Sequence, residues 1–260
     1  RQIGKSSRAG VLHTSTADIH RLAAAADTLV TMPFDSRKLN PIYEALDCRN
    51  PKLAVKLCDA ALKKSSAPIV GALKSVALHR MGKSDDAIAL ARQLAATSIT
   101  PPVDDHLLST LLITYKDTGN LKEAVTVYES AHTAEPGNTE VAHSLFAEYL
   151  RTSQFAKAQA LSMKLFKGPN GAEQLFWAVT CLVLQVDQMS PPKQPNRHYA
   201  EGGAHPDAAK QLQLAAAMLN RAASQGKLTA PTHLLLLLEV YTRQQAHDEA
   251  EALLAGPHGE

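Results

Sequence analysis

The chain has 260 residues, 45% of them hydrophobic and only 5% aromatic, and a formal net charge of +2. This composition allows a sizeable core, favours stacked helices over a β-sheet, and gives no reason to expect direct DNA binding. Cys48, Cys58 and Cys181 are too few and too scattered for a disulfide framework, which favours a reducing compartment. The apolar runs fall short of the ~20 residues of a membrane span. We therefore expect a cytoplasmic protein without membrane contact.

Residues 1–39 lack repeat periodicity, and we expect them to be a disordered or non-native extension. Their basic residues resemble those of an organellar transit peptide, whereas Asp18 and Asp27 argue against that interpretation. The chain begins with Arg1, which indicates a fragment, a processed product or an extended gene product. Met32 offers an alternative start.

The first predicted helical hairpin, residues 40–66, is the least regular one. Ile42 and Leu46 form the buried face of its first helix. Asn50-Pro51 opens the second helix, because proline is tolerated at the first helical position. Ala54 is the small residue on the buried face of that helix.

The second predicted hairpin, residues 68–100, follows the same pattern, and its turn is easier to locate. Gly82 lies at the turn between its two helices, and Ala87 occupies the position of Ala54. The acidic pair Asp85-Asp86 follows Ser84, which is typical of the first turn of a helix rather than of paired catalytic carboxylates.

The third hairpin, residues 105–138, carries the fullest pattern, and the fourth, residues 139–171, repeats part of it 34 residues later. A small residue within a helix–turn–helix period of 34 is typical of tetratricopeptide (TPR) repeats. The small residue lets the two helices approach closely. The third hairpin contributes Tyr115, Gly119, Ala124, Tyr128, Ala131 and Pro136, and the fourth contributes Tyr149 and Ala158.

The turn of the third hairpin has its own predicted chemistry. Gly119 suits a residue with positive φ after a helix. Asn120 and Glu123 have the spacing of a capping box at the start of the second helix.

The fifth unit, residues 172–225, is stretched by a Pro- and Gly-rich insertion at 188–205, which we expect to be disordered rather than functional. Its first helix holds the only tryptophan, Trp177. The sixth unit, 231–260, places Tyr241 nine residues before Ala250, as in the third and fourth hairpins. It lacks a polar capping helix, so we expect further repeats. The predicted fold is an all-α, right-handed superhelix of about five or six TPR-type hairpins that is C-terminally incomplete.

Sequence motifs for catalysis are missing. The chain has no Gly-rich phosphate loop, no His-Glu-x-x-His, no Cys-x-x-Cys, no Gly-x-Ser-x-Gly and no acyl-CoA motif. His106, His132 and His143 lack the spacing of metal ligands. We therefore predict no catalytic, cofactor-binding or metal-binding residue, and a protein that is not an enzyme.

TPR repeats are binding scaffolds, and one well-defined binding mode is excluded by the sequence. A clamp for a peptide's terminal carboxylate needs Lys, Asn and Arg on the inner helices. The matching positions here cannot supply those contacts, and one of them would repel the carboxylate. They are Ala72, Val76, Thr110, Glu140 and Ser144.

Several stretches resemble the auxiliary subunit of the NatB N-terminal acetyltransferase over roughly 40–255, in the same order. Several of them are not general TPR consensus. Residues 1–31 match nothing in that family, and the 188–205 insertion diverges from it. The matching stretches are Asn40-Pro41-Ile42-Tyr43-Glu44-Ala45-Leu46-Asp47, Asn50-Pro51-Lys52-Leu53-Ala54, Leu62-Lys63-Lys64, Leu73-Lys74-Ser75-Val76-Ala77-Leu78-His79-Arg80-Met81-Gly82-Lys83, His143-Ser144-Leu145-Phe146-Ala147-Glu148-Tyr149, Phe176-Trp177 and Leu182-Val183-Leu184-Gln185.

The resemblance implies the N-terminal arm of a non-catalytic scaffold that binds and activates a GNAT-fold catalytic subunit. It also implies a role in positioning that subunit at ribosomes, where N-termini beginning Met-Asp, Met-Glu, Met-Asn or Met-Gln are acetylated. Acetyl-CoA is then expected on the catalytic partner only. The alternative is a free-standing TPR adaptor or the auxiliary subunit of a related acetyltransferase. The residues that contact partners stay unknown at this point.

Overall fold

The computed structural model describes residues 36–166, 172–189, 206–228 and 230–255. Within these ranges all regular structure is helical, with a short 3-10 helix at Ser36–Lys38 followed by twelve α-helices. The prediction of an all-α protein built of TPR-type hairpins is confirmed, whereas the handedness of the superhelix stays a prediction. Most of the predicted extension and nearly all of the 188–205 insertion lie outside the described residues. No described helix is both long and apolar enough to cross a membrane.

The twelve helices follow one another with short connections, apart from the inserted segment. They are α1 (Asn40–Asp47), α2 (Pro51–Leu62), α3 (Pro68–Arg80), α4 (Ser84–Ser98), α5 (Asp105–Asp117), α6 (Leu121–Ala134), α7 (Thr139–Arg151), α8 (Phe155–Leu165), α9 (Ala172–Met189), α10 (Pro206–Ser224), α11 (Pro231–Gln244) and α12 (His247–Ala255).

Proline and polar caps open several of these helices. Pro51, Pro68 and Pro231 lie in the first turn of their helices, where the missing N–H costs no hydrogen bond. The Asn50 side chain accepts a hydrogen bond from the backbone N–H of Leu53 at 3.2 Å. Asp104 caps α5 in the same way.

Five hairpins share one turn geometry, which Gly119 and Ser153 illustrate. Gly119 has a φ of +75° and Ser153 a φ of +57°, both left-handed. The next residue in each case donates its N–H five residues back, to the carbonyl of Tyr115 or Tyr149, at 2.8 Å. This is the Schellman pattern that ends a helix. The left-handed residue lies five positions before the small alanine in every pair, which are Arg49/Ala54, Gly82/Ala87, Gly119/Ala124, Ser153/Ala158 and Gln245/Ala250.

The capping box expected at the start of α6 is not formed. The Asn120 side chain makes no cap hydrogen bond; its Nδ2 donates instead to the carbonyl and hydroxyl oxygens of Thr118. The Glu123 carboxylate accepts hydrogen bonds from Arg92 of α4. The tertiary partner outcompetes the local one because a guanidinium offers two charge-assisted hydrogen bonds.

The chain divides into two compact units, one ending at Val141 and the other beginning at Ala142. In the first unit, α3 packs against α2, α4 and α5. Its core includes Ile42, Leu46, Val70 and Leu73. Leu39, inside the predicted extension, is only 4% exposed and belongs to this core, so the folded region begins before residue 40.

Polar contacts also tie the first unit together. The hydroxyls of Ser75 in α3 and Thr114 in α5 are 2.8 Å apart, and both side chains are buried. Arg80 donates to the carbonyl oxygen of Leu46 at 2.9 Å, which satisfies an acceptor at the end of α1.

In the second unit, α9 is central, packing against α8, α10 and α11. The core joins Phe176 and Leu182 of α9 to Leu219 of α10 and Leu237 of α11. The hydroxyl of Tyr241 donates to Asn220 Oδ1 at 2.6 Å, linking α11 to α10. The helix α9 continues to Met189, so it includes the first two residues of the predicted insertion.

Candidate functional site

The TPR signature residues form the interior of the hairpins. Ala54, Ala87, Ala124 and Ala158 are at most 1% exposed, so no larger side chain could occupy these positions without pushing two helices apart. Ala250 is half-buried. Tyr115, Tyr128, Ala131, Tyr149 and Tyr241 are also buried, whereas Pro136 is exposed in the turn between α6 and α7.

The described part of the chain offers little to chemical catalysis. It contains no group of three or more His, Cys, Asp and Glu side chains placed to hold a metal ion. Burial raises the pKa of the Cys58 thiol to about 12 and that of Cys181 to about 11, so both are protonated at neutral pH. Neither thiol therefore has the thiolate character of a nucleophile.

Three of the five positions that excluded a carboxylate clamp are also unsuitable by burial. Ala72, Val76 and Thr110 are each at most 4% exposed, so they cannot contact a bound peptide without rearrangement. Two other surfaces of the described residues carry more distinctive chemistry.

The first of these is a basic surface on the first two hairpins. Residues 36–83 carry ten Lys and Arg against three Asp and Glu, a net charge of +7. Lys74 pairs with Asp59 at 2.7 Å, and Arg80 binds the Leu46 carbonyl. The others are exposed, and we call them the basic surface: Arg37, Lys38, Arg49, Lys52, Lys56, Lys63, Lys64 and Lys83.

The helical register aligns three of these lysines. Successive residues turn by about 100° around a helix, so Lys52 and Lys56 of α2 and Lys63, the residue after its end, lie within a narrow stripe. Asp59 lies in the same stripe, where Lys74 balances its charge at 2.7 Å. Such an arrangement attracts polyanions, and its affinity for them falls as salt rises.

The net charge of the whole chain gives no indication of this surface. Residues 84–260 contain 13 Lys and Arg against 19 Asp and Glu, a net charge of −6, which nearly cancels the basic first hairpins in the total. A count of charge by hairpin would have found it. The total charge of +2 by itself gives no sign of it.

The second surface is a groove between α9 and α11 in the second unit. It encloses about 510 Å³. Trp177 is 47% exposed and Leu235 is 65% exposed, although both are large apolar side chains. We call this the α9–α11 groove, and its lining residues are Glu173, Phe176, Trp177, Thr180, Thr232, His233, Leu235 and Leu236.

Aromatic contacts build the wall of the groove. The rings of Phe176 and His233 are stacked, with centroids 3.4 Å apart and planes at 4°. Trp177 meets Phe146 edge to face at 5.9 Å. Burial lowers the pKa of His233, against the opposing effect of Glu173, so the imidazole is neutral at pH 7. The groove is therefore an apolar surface on a rigid support.

Sequence reasoning found Trp177 as the only tryptophan but not its exposure. The apolar run Leu234–Leu238 contains both buried and exposed residues. Leu237 is 1% exposed, whereas Leu235 points outward. The period of an α-helix predicts opposite faces within such a run. Which face lacks a neighbour is decided only by packing.

The chain matches the family described as "Psidin, N-terminal TPR repeats region" over residues 36–260. It is 28% identical over 227 residues to the human protein "N-alpha-acetyltransferase 25, NatB auxiliary subunit", covering 87% of this chain and 22% of the relative. It is 29% identical over 229 residues to "N-terminal acetyltransferase B complex auxiliary subunit NAA25" of Arabidopsis thaliana, covering 86% and 20%. The chain thus spans about a fifth of the length of these curated relatives.

Solved structures are less similar to the chain than these relatives are. One is described as "Structure of Naa15/Naa10 bound to HypK-THB", with a TM-score of 0.42, 16% identity, and coverage of 85% of this chain and 36% of that one. The family match covers most of the chain, including every described helix. The chain therefore belongs to the Psidin N-terminal TPR repeat family, and its curated relatives include auxiliary subunits of the NatB N-terminal acetyltransferase.

Proposed function

We propose that this chain is the N-terminal TPR arm of a non-catalytic NatB auxiliary subunit. The subunit binds and activates a GNAT-fold catalytic partner and helps to position it at ribosomes. There, N-termini beginning Met-Asp, Met-Glu, Met-Asn or Met-Gln are acetylated during translation. Acetyl-CoA binds the catalytic partner only, and the complex works in the cytoplasm.

The observation that carries this proposal is the similarity to the human NatB auxiliary subunit over 227 residues. It runs through both compact units rather than through one repeat. A general TPR likeness would be confined to the signature residues of each hairpin. This match is accompanied by a family match over 36–260.

The basic surface supports the ribosomal part of the proposal. Ribosomes expose RNA phosphates, and a cluster of lysines binds phosphates through counterion release without reading sequence. Lys52 and Lys56 of α2 and Lys63 at its end can approach one strand of RNA together, because they share a face. This binding needs no base-specific contact, as a scaffold that serves every ribosome requires.

The catalytic part of the proposal is tested by co-expression. The complete reading frame that encodes this chain is produced with its candidate GNAT-fold subunit, and the pair is purified through a tag on the latter. We expect co-purification and acetylation of a Met-Asp peptide that depends on both proteins. Separate purification, with activity unchanged when this protein is omitted, would leave a free-standing TPR adaptor as the better assignment.

The ribosomal part is tested with a charge-reversal variant. Lys52→Glu, Lys56→Glu and Lys63→Glu are combined, and sedimentation with ribosomes is compared at several salt concentrations. A control combines Lys122→Glu, Lys164→Glu and Lys210→Glu, which changes the net charge equally at exposed lysines of other helices. We expect only the first variant to sediment less with ribosomes. Equal loss in both would show that overall charge, not this surface, governs the association.

A further inference from the structure

The α9–α11 groove presents large apolar side chains to solvent in the part of the chain that the structure describes. A large indole and a leucine are exposed side by side at 47% and 65%. Exposed apolar side chains grouped around a concavity mark an interaction site more often than isolated ones do. Phe176 stacks on His233, and Trp177 meets Phe146 edge to face.

The groove has acidic ends. Glu173 lies in the first turn of α9 and is the only charged residue that lines the groove. Further along the same faces of the two helices, Arg243 of α11 binds Asp187 of α9 and, at 2.6 Å, Glu239. The helical register places Asp187 close to the line of Thr180, and Glu239 close to the line of Leu236.

Carboxylates outnumber cations in this set by three to one. Arg243 is shared between two of them, and the side chains of Asp187 and Glu239 remain about half exposed at 51% and 50%. Glu173 forms no ion pair among the described residues and is exposed to solvent. With Arg243 counted, each end of the groove carries a net charge of −1, and the centre between them is apolar.

We infer that the α9–α11 groove binds a short segment of a partner protein whose apolar centre is flanked by lysine or arginine. Leucine or a similar side chain packs between Trp177 and Leu235, and the flanking cations approach Glu173 at one end and Asp187 with Glu239 at the other. Fourteen residues of α9 separate Glu173 from Asp187, or about 21 Å of helix. An extended segment of about six residues spans that length.

This inference goes beyond the proposed function, because it does not depend on which protein supplies the segment. The apolar centre provides affinity, and the acidic ends select against acidic segments and fix the position of the bound one. An apolar groove without charged ends would not discriminate in this way.

The test uses the full 260-residue chain and its single tryptophan as the reporter. Two synthetic peptides share a leucine-rich centre; one is flanked by lysines and the other by glutamates. We expect the lysine-flanked peptide to shift the Trp177 emission to shorter wavelength, as the indole loses water. We expect the glutamate-flanked peptide to bind at least about tenfold more weakly.

Two variants locate the binding. Leu235→Asp and Glu173→Lys are each expected to weaken binding of the lysine-flanked peptide by about tenfold. The first removes an apolar contact at the centre of the groove, and the second reverses the charge at one end. Leu214→Asp is the matched control, because Leu214 is 49% exposed on α10, outside the groove lining. Circular dichroism checks that each variant keeps its helices.

Three outcomes would overturn the inference. The two peptides could bind equally well, or Leu214→Asp could weaken binding as much as Leu235→Asp. The third is a dimer of this chain in light scattering that Leu235→Asp converts to a monomer, without peptide binding by either form. Glu173→Lys changes an exposed residue, so it remains informative if Leu235→Asp disturbs the fold. Failure here would leave the co-purification test of the NatB assignment unaffected.

Discussion

The first two hairpins and the α11–α12 hairpin use the same backbone plan for opposite surface chemistry. The first helix of each hairpin ends in a left-handed turn, and an alanine follows five residues later; Ala54 and Ala87 are fully buried, whereas Ala250 is half-buried. Residues 36–83 then expose lysine and arginine, whereas α9 and α11 expose tryptophan and leucine with carboxylates at the ends.

The comparison shows which residues are free to specialise. The turn and the alanine are set by the close approach of two helices, so they recur in both units. The outward positions carry no such requirement, and each hairpin can present a different chemistry. A repeat protein can therefore hold separate binding surfaces on one scaffold, with recognition spread along its length.

The largest expected effect comes from breaking the shared plan. Ala87→Asp in the first unit and Ala158→Asp in the second place a charge in a contact that is 0% exposed. We expect each to cost about 3 kcal/mol or more, because the carboxylate is buried without a partner. Urea unfolding followed by circular dichroism measures the change.

Each of these substitutions has a control two residues away on the same helix. Ala89 and Ala160 are exposed, so Ala89→Asp and Ala160→Asp should change the free energy of unfolding by less than about 0.5 kcal/mol. If the controls were as damaging as the test variants, the buried alanines could not be what holds the hairpins together.

The second-largest expected effect distinguishes the basic surface from the α9–α11 groove. The combined Lys52→Glu, Lys56→Glu and Lys63→Glu variant should bind single-stranded RNA at least about tenfold more weakly. For three lost phosphate contacts, the slope of log affinity against log salt should fall by about 2. Binding of the lysine-flanked peptide to the groove should not change. An unaltered salt slope would exclude α2 as the anion-binding face.

A smaller effect compares the turns of the third and fourth hairpins. An added Cβ at Gly119 would meet no atom within 4 Å, so Gly119→Ala is opposed only by the φ of +75°. We expect a loss of about 1 kcal/mol. Ser153 already carries that strain at a φ of +57°, so Ser153→Gly should be neutral or stabilising by a few tenths of a kcal/mol.

Thermal unfolding of the two turn variants measures this contrast. Opposite signs would show that backbone conformation, rather than side-chain packing, decides the preference at the turn. Destabilisation by both substitutions would instead indicate that the Ser153 side chain contributes to the fourth hairpin.

The smallest effect concerns the exposed pair that replaces the expected capping box. The hydrogen bonds from Arg92, together with its positive charge, lower the pKa of Glu123 below its ordinary value. A carboxylate with a lowered pKa in the folded state adds stability above its unfolded-state pKa and loses it as pH falls through the folded-state pKa. Glu123→Gln should therefore lower the unfolding midpoint slightly at pH 7.

The pH dependence tests that explanation. The difference between the original chain and Glu123→Gln should shrink as the pH is lowered and vanish in acid, where the carboxylate is protonated in both states. Arg92→Gln should abolish most of the same difference, since the pair is the source of the shift. A difference that is constant with pH would point to helix propensity instead.

Most of the fold could be predicted from the sequence because the hairpin signal is local. Ala124 and Gly119 lie within one helix–turn–helix, and their spacing depends on helix geometry that any such hairpin shares. The family resemblance was also carried by short stretches of sequence, and the match over residues 36–260 agrees with it. The sequence by itself thus determined the class of fold, the hairpin register and the family.

Tertiary structure decided which side chains remain available for binding. Trp177 and Leu182 are both apolar residues of α9, yet one is half exposed and the other is 2% exposed, because α10 and α11 cover only one side of that helix. Glu123 pairs with Arg92, 31 residues earlier, rather than with the start of its own helix. Such choices depend on neighbours distant in sequence, and no local pattern contains them.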